Sequence, residues 1–166
     1  EVLARRAAPT LPAAEIPALV EEYRVRSAAR IDAETRPYEG VPAMLDALVA
    51  RGTPIAVLSN KRDDFTVELV RLMFARWPFA EVRGEREGVP RKPDPTSALD
   101  IARALGVPAP RCAFVGDTPV DMKTARAAGM RAVGVTWGFR GAAELRAAGA
   151  EHVIDLAAEL LPILDG

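Results

Sequence analysis

The sequence predicts an α/β protein with a Rossmann-like parallel sheet and helices on both of its faces. Two observations lead to this fold class. Short apolar runs such as 54–58 and 112–116 are typical of strands that are buried on both sides. These runs alternate with amphipathic helical segments, and strands that alternate with helices form parallel sheets. We expect right-handed crossovers between the strands.

The strand and helix predictions follow from apolar periodicity and from the residues that start and stop helices. Strands are predicted at 54–58, 79–82, 112–116, 131–136 and 152–154. Helices are predicted at about 13–31, from Pro42 to Gly52, at 95–105 and at 156–164. Another helix is predicted to be capped by Asp63 or Asp64 and to turn Phe65, Leu69, Leu72 and Met73 inward. Two more helices are predicted to end at about Ala128 and at Gly149. Asp94 is predicted to cap the 95–105 helix.

Residues 1–36 differ in character from the remainder of the chain. They are rich in Ala, Arg and Glu and show no strand pattern. The segment 13–31 carries a narrow apolar stripe that includes Ile16 and Tyr23. We therefore expect a small helical unit over 1–36 and the α/β core over 37–166.

Composition and charge exclude several classes of partner. A net charge of −1 gives no reason to expect a nucleic-acid or membrane partner. Cys112 is the only cysteine, so no intrachain disulfide can form, and a reducing, cytoplasmic compartment is expected. The sequence leaves both a monomer and a homodimer open.

The stretch Val115–Asp121 predicts a metal and phosphate site. It reads as the end of a strand, a tight turn and the start of a helix, with Asp117 and Asp121 four residues apart. Ligands bind at the carboxyl ends of parallel strands, and Mg²⁺ accepts one or two carboxylates together with phosphate oxygens. Taken alone, this stretch fits a simpler interpretation equally well, in which Asp117 is a turn residue and Asp121 is an acidic residue at the start of a helix.

Polar residues elsewhere favour the metal site. Ser59 and Asn60 follow the first predicted strand, and Lys92 lies in the loop before the 95–105 helix. Each has an ordinary explanation, since serine forms turns and a loop lysine is usually solvated. At one edge of a sheet, however, a hydroxyl, a lysine and two carboxylates can together bind a phosphate and its Mg²⁺.

Three motifs resemble those of the haloacid dehalogenase-like hydrolases, in particular their phosphoglycolate phosphatase-like members. The motifs are Leu58–Asn60, Arg91–Pro95 and Val115–Asp121, and Val135–Arg140 is also similar to that branch. The resemblance covers about residues 36–160. It implies a Mg²⁺-dependent phosphatase of small phosphorylated metabolites that works through an aspartyl-phosphate, with 1–36 as the end of a helical cap.

The same resemblance assigns roles to the site residues. It implies that Ser59 and Lys92 hold the phosphoryl group, and that Asp117 binds Mg²⁺. Asp121 would help directly, through water or through hydrogen bonds. Asn60 and Arg140 are further candidates for lining the substrate site.

One family motif is absent from the sequence. The family's nucleophile and general acid/base lie in an Asp-x-Asp motif after a central strand, and these 166 residues contain no Asp-x-Asp. The resemblance implies that this strand lies between the Ser59 strand and the Asp117 strand. Without it, these two strands would leave buried backbone groups unpaired, at a cost of about 1–3 kcal/mol each. The sequence thus predicts an N-terminally incomplete chain that has no turnover by itself.

Other functions also fit the sequence. The chain could be a non-catalytic domain that binds phosphate or Mg²⁺ through inherited motifs. A phosphomutase or a pyrophosphatase of the same superfamily would also fit. A dehalogenase is disfavoured, because Asp117 and Asp121 together indicate a metal-dependent site.

Overall fold

The chain divides into two compact units, Glu1–Arg36 and Pro37–Gly166, at the boundary that the sequence suggests. The computed structural model describes residue 5, residues 7–29 and residues 35–165, with the backbone alone for 24–29. In the first unit, a 3₁₀ turn (Ala13–Glu15) leads into helix α1 (Ile16–Ala29). The predicted end of this helix at residue 31 lies outside the described residues. Assignment of the unit to a cap stays a prediction.

The second unit contains the alternating strands and helices that the sequence predicts. Its strands are β1 (Ile55–Arg62), β2 (Phe79–Glu85), β3 (Ala113–Gly116), β4 (Arg131–Val135) and β5 (His152–Ile154). Its helices are α2 (Val41–Ala50), α3 (Asp63–Phe74), α4 (Thr96–Ala104), α5 (Pro119–Ala127), α6 (Ala142–Ala147) and α7 (Leu160–Asp165). The predicted α/β fold class is confirmed, although β1 and β2 extend further than their apolar runs.

The strands form two parallel sheets. Strands β1 and β2 pair in one sheet, and β3, β4 and β5 pair in that order in the other. Within the described ranges, β1 and β3 do not pair with each other. Val115 of β3 is 39% exposed, although its apolar run predicts a buried strand. These open strand edges lie where the sequence predicts a further strand, which stays a prediction.

Apolar side chains from both sheets pack against the same helices. One cluster joins Ile55 of β1 and Val133 of β4 to Leu45 and Leu48 of α2. A second cluster on the other face joins Ala132 of β4 to residues of α4, α5 and α6. Neighbouring residues of β4 thus point to opposite faces, as alternation along a strand requires. The core therefore continues across the space between β1 and β3.

Two local expectations differ from the structure. Leu72 is 39% exposed rather than turned inward. Asp63 and Asp64 lie inside the first turn of α3, where Asp63 instead accepts a 2.7 Å hydrogen bond from the backbone N–H of Gly84 in β2. The Asp63 carboxylate, which is predicted to cap the helix, therefore makes a tertiary contact instead.

Asp94 acts close to its predicted position. Its Oδ1 accepts a 2.9 Å hydrogen bond from the backbone N–H of Thr96, and hydrogen bonding by Thr96 lowers the pKa of the Asp94 carboxyl. Helix α4 begins at Thr96, one residue after Pro95, so the predicted start is early by one residue. The loop that carries Lys92 is thus held at its helical end.

None of the helices in the part of the chain that the structure describes is long and apolar enough to cross a membrane.

The second core cluster gives a stability prediction. Leu145 of α6 is completely buried, whereas Leu156 is 65% exposed. Leu145→Ala should lower the free energy of unfolding by about 2–5 kcal/mol, because it removes packed methyl groups and leaves a cavity. Leu156→Ala is the matched control and should stay within about 0.5 kcal/mol. Urea unfolding measures both, and equal losses would contradict the described packing.

Candidate active site

The carboxyl end of β1 departs from regular strand pairing. Leu58 lies opposite Arg83 and Arg62 lies opposite Glu85, so four steps along β1 match two steps along β2. The register shift falls on Ser59, Asn60 and Lys61. A bulge of this kind re-aims side chains and interrupts the pairing. It explains why β1 continues beyond its apolar run and still presents polar groups at the edge of the sheet.

The ammonium group of Lys92 lies between the two sheets. Its Nζ donates a 3.0 Å hydrogen bond to the carbonyl oxygen of Leu58 in β1 and a 2.7 Å bond to Oδ1 of Asp121 in α5. The Lys92 and Asp121 side chains are only 11% and 9% exposed. Nζ also lies 5.5 Å from the ring centroid of Phe114 in β3, within reach of a cation–π contact. The predicted phosphate-binding lysine is therefore a partly desolvated cation with a fixed place.

Asn60 contacts the backbone of the same lysine. Its Nδ2 donates to the carbonyl oxygen of Lys92 at 3.0 Å, and its Oδ1 accepts from the backbone N–H of Lys92 at 3.0 Å. The two residues are 32 positions apart in the chain. The structure thus brings Asn60 and Lys92 together, through an amide clamp that motif spacing does not reveal.

Ser59 is next to Lys92 in space. The two residues help to line a small cavity of about 10 Å³, which is close to the space that one water molecule needs. The hydroxyl oxygen of Ser59 accepts a 3.1 Å hydrogen bond from the backbone N–H of Lys61. Since the oxygen acts as the acceptor in this bond, the hydroxyl proton can be donated to another oxygen atom.

Asp121 is buried and bonded through both carboxylate oxygens. Its Oδ1 accepts from Lys92, and its Oδ2 accepts from the backbone N–H of Thr118 at 3.1 Å and from the Thr118 hydroxyl at 2.6 Å. A Cβ added at Gly116 would lie 2.3 Å from the Cβ of Asp121. Glycine is therefore required at 116 for the Asp121 side chain to pack against the end of β3.

Asp117 is held by the loop that follows β4. Its Oδ2 accepts a 2.8 Å hydrogen bond from the backbone N–H of Phe139. A Cβ added at Gly138 would lie 2.3 Å from both Cβ and Oδ2 of Asp117, so this loop approaches the carboxylate as closely as a glycine allows. The geometry fixes one oxygen of Asp117 and leaves its Oδ1 as a metal-ligand candidate.

Arg140 follows this loop but contacts its own neighbours. Its Nη1 donates to the carbonyl oxygen of Phe139 at 3.1 Å, and its Nε lies 3.4 Å from Oε1 of Glu144 in α6. The structure places it near the loop that holds Asp117, and its predicted role in substrate binding stays a prediction.

The carboxylates suit a hard cation that is held by few protein ligands. The described residues contain no group of three or more His, Cys, Asp or Glu that could hold a metal by themselves. Mg²⁺, however, typically uses one or two carboxylates and completes its coordination with water and phosphate oxygens. Asp117, with one oxygen fixed by Phe139, fits this pattern. Asp121, with both oxygens engaged, fits better as a group that supports the site.

Cys112 is not part of the reactive chemistry. Burial raises the pKa of its thiol, which therefore stays protonated near neutral pH. Its Sγ lies 3.6 Å from the carbonyl oxygen of Pro108, in the loop before β3.

Sequence reasoning missed the groups that orient the site. These are the carbonyl oxygen of Leu58, the ring of Phe114, the Thr118 donors and the Phe139 N–H. Two of these groups could have been found from the sequence, because Thr118 precedes the helix as a capping residue and Phe139 follows a glycine in a short loop. The Leu58 carbonyl left none, since every residue carries one.

The fold and this edge of the sheet define an α/β protein with a candidate ligand site at the carboxyl ends of parallel strands. Residues 4–129 match the haloacid dehalogenase-like hydrolase family, and the chain belongs to that family. It is 36% identical over 132 residues to a phosphoglycolate phosphatase of Xylella fastidiosa, covering 80% of this chain and 58% of that protein. A phosphoglycolate phosphatase of Agrobacterium fabrum is 33% identical over 129 residues, with 78% and 55% covered. The resemblance to the phosphoglycolate phosphatase branch is thus confirmed.

Solved structures agree with the fold. A crystal structure from Lactobacillus delbrueckii subsp. bulgaricus, whose designation as a phosphoglycolate phosphatase is provisional, superposes with a TM-score of 0.85 at 30% identity, covering 94% of this chain and 65% of the other. A haloacid dehalogenase-like family protein from Streptococcus pneumoniae shares the fold, with a TM-score of 0.82 at 19% identity, covering 94% and 73%. The chain spans a little over half the length of the phosphoglycolate phosphatases named above.

The contact between Gly138 and Asp117 gives a steric prediction. Gly138→Ala places a methyl group against the carboxylate, so the loop must move and the hydrogen bond from Phe139 to Asp117 should break. Gly141→Ala is the matched control, because a Cβ there meets no atom within 4 Å. Hydrogen exchange should show lost protection of the Phe139 amide in the first variant and unchanged protection in the second. Equal protection in both variants would contradict the contact.

The pair formed by Lys92 and Asp121 gives an electrostatic prediction. Lys92→Met leaves the buried Asp121 carboxylate without its cation, and should lower the free energy of unfolding by about 3 kcal/mol, the low end for a broken buried pair. Lys123→Met is the matched control, because it changes an exposed lysine in helix α5, which also carries Asp121. It should lower the free energy of unfolding by less than about 0.5 kcal/mol. Urea unfolding compares the variants. A cost at Lys92 no greater than that at Lys123 would show that the pair contributes nothing to stability.

Proposed function

We propose that this chain is part of a Mg²⁺-dependent phosphatase that hydrolyses small phosphorylated metabolites. The observation that carries the proposal is the fixed, partly desolvated ammonium group of Lys92 at the carboxyl edge of the sheets, with Ser59 beside it. A cation in such a place stabilises negative charge more strongly than a solvated lysine does. The similarity to phosphoglycolate phosphatases supports the same reaction class.

Ser59 and Lys92 would hold the phosphoryl group. The hydroxyl proton of Ser59 would be donated to one phosphoryl oxygen, while Lys92 would neutralise charge on another. Ser59 lies in the bulge at the end of β1, and the Leu58 carbonyl oxygen accepts a hydrogen bond from the ammonium group of Lys92. Both groups are therefore oriented before a substrate arrives, which lowers the entropy cost of reaching the transition state.

Asp117 would bind Mg²⁺ through the carboxylate oxygen that Phe139 does not engage. When bound, Mg²⁺ would draw charge from the transferring phosphoryl group. Asp121 would support the site through Lys92 and Thr118, because both of its oxygens already accept hydrogen bonds. Arg140 is the remaining candidate for the substrate edge.

The nucleophile would come from a segment that these 166 residues do not contain. The sequence has no Asp-x-Asp, and within the described residues β1 and β3 offer strand edges that do not pair with each other. A parallel strand between them would pair with these edges, cover Val115 and bring an aspartate between Ser59 and Asp117. That aspartate would form the aspartyl-phosphate, and the next acidic residue would act as the general acid/base.

The substrate class follows from the site and from the relatives. The relatives' names make 2-phosphoglycolate the first ester to test. Neither nucleic acid nor a membrane surface is expected as a partner at a net charge of −1. We expect a cytoplasmic monomer or homodimer. The absence of Asp-x-Asp keeps a non-catalytic phosphate- and Mg²⁺-binding domain as the second candidate.

Phosphate release from a panel of phosphate esters tests the proposal. The full-length gene product should release phosphate with Mg²⁺ and lose this activity in EDTA, and the 166-residue chain should show no turnover. Lys92→Ala in the full-length protein should lower kcat/KM by about 10²–10³-fold, as for other lost charge-stabilising donors. The matched Lys123→Ala should retain activity.

Two outcomes would contradict it. Mg²⁺-dependent turnover by the 166-residue chain would show that the nucleophile lies within it. A full-length protein that binds inorganic phosphate and Mg²⁺ but hydrolyses no ester would favour the non-catalytic candidate.

A further inference from the structure

Asn60 uses its side-chain amide on Lys92 rather than on the edge of the sheet. Its Nδ2 and Oδ1 bond to the carbonyl oxygen and the backbone N–H of one residue, both at 3.0 Å. A carbonyl can only accept and an N–H can only donate, so this pair of bonds sets the orientation of the amide. The two bonds together fix both the position and the rotation of the Lys92 backbone.

Lys92 is consequently attached to β1 at both of its ends. Asn60 holds the backbone, while the carbonyl oxygen of Leu58, two residues earlier, accepts from Nζ at 3.0 Å. A lysine side chain has four rotatable carbon–carbon bonds and many rotamers, so fixing one end alone would leave the ammonium group mobile. With both ends tied to the same short segment, the side chain must span a set distance and reaches Asp121 on the far side.

The rest of the loop gives the Lys92 backbone little local support of the same kind. Lys92 precedes Pro93, which has no N–H to donate, and the next hydrogen bonds run from Asp94 N–H to the Arg91 carbonyl and from Thr96 N–H to Asp94. These bonds organise the start of α4. They do not involve the carbonyl or N–H of Lys92, which Asn60 engages.

We propose that Asn60 is a positioning residue that acts on the phosphate through Lys92 and does not itself bind substrate. This inference rests on the proposed function for its kinetic consequence, while the clamp itself is a property of the fold. It replaces the expectation that Asn60 lines the substrate site. It also explains why an exposed residue in a strand bulge is an asparagine, since a single short side chain must both donate and accept.

Hydrogen exchange tests the clamp without any need for activity. In the full-length protein, Asn60→Ala should lower the protection of the Lys92 amide at least tenfold. Asn60→Asp is isosteric but replaces the donor with a carboxylate oxygen that faces the Lys92 carbonyl oxygen, so it should lower the protection as well. Asp94→Ala is the control in the same loop; it should release the Thr96 amide and leave that of Lys92 unchanged. An unchanged Lys92 amide in Asn60→Ala overturns the proposal.

A double-mutant cycle in kcat/KM tests the route by which Asn60 acts. Alone, Asn60→Ala should lower kcat/KM about five- to tenfold, and Asp94→Ala should change it less than twofold. In the Lys92→Ala background, Asn60→Ala should have less than a twofold further effect, because its target is gone. Full multiplication of the two single effects would show that Asn60 contacts the substrate independently and would overturn the proposal.

Hydrogen exchange and kinetics together distinguish failure of the positioning role from failure of the proposed function. A full-length wild type without phosphatase activity refutes the proposed function, and the amide exchange of Lys92 still decides whether the clamp exists. An active wild type in which Asn60→Ala leaves the Lys92 amide protected refutes the positioning role and leaves the proposed function intact.

Discussion

The bridge formed by the Lys92 ammonium group is the interaction on which the described site depends. Backbone pairing joins β1 to β2 and β3 to β4, but it does not join β1 to β3 within the described residues. At the edge where these strands end, Lys92 connects the Leu58 carbonyl of one sheet to the Asp121 carboxylate that follows the other. A charge held in this way is shielded from water, which strengthens its interaction with any anion nearby.

Close backbone approach is the second constraint on the site. Gly116 lets Asp121 lie against the end of β3, and Gly138 lets the loop after β4 reach Asp117. In each case an added Cβ would overlap the carboxylate side chain. The two carboxylates are therefore oriented by sterics as well as by hydrogen bonds, and only Asp117 keeps an oxygen for a ligand.

In the proposed function, these groups are the part of an active site that would hold a phosphate and a metal. A serine hydroxyl, a fixed lysine and an aspartate with one available oxygen can bind and polarise a phosphoryl group, but none of them is placed as a nucleophile. The family relationship and the open edges of β1 and β3 lead to the same proposal, in which a further strand completes both the sheet and the chemistry. One structural element would then supply pairing for the backbone and a nucleophile for the reaction.

The sequence by itself determined the order of strands and helices, the helix ends near Gly52, Gly106 and Gly129, and the family. Apolar periodicity, backbone restrictions and motif spacing act over a few residues, so they can be read directly from the chain. The motifs also predict that Ser59, Lys92 and Asp121 belong to one site.

Only the tertiary structure decided how these residues interact. The bond from Lys92 to Asp121 joins positions 29 apart, and the clamp from Asn60 joins positions 32 apart. The turn of Asp63 toward Gly84, the exposure of Leu72 and the bulge at Ser59 likewise depend on neighbours from other elements. The sequence shows which groups can donate and accept hydrogen bonds. The fold determines which of them pair, because a hydrogen bond depends on the distance and direction between two groups in space.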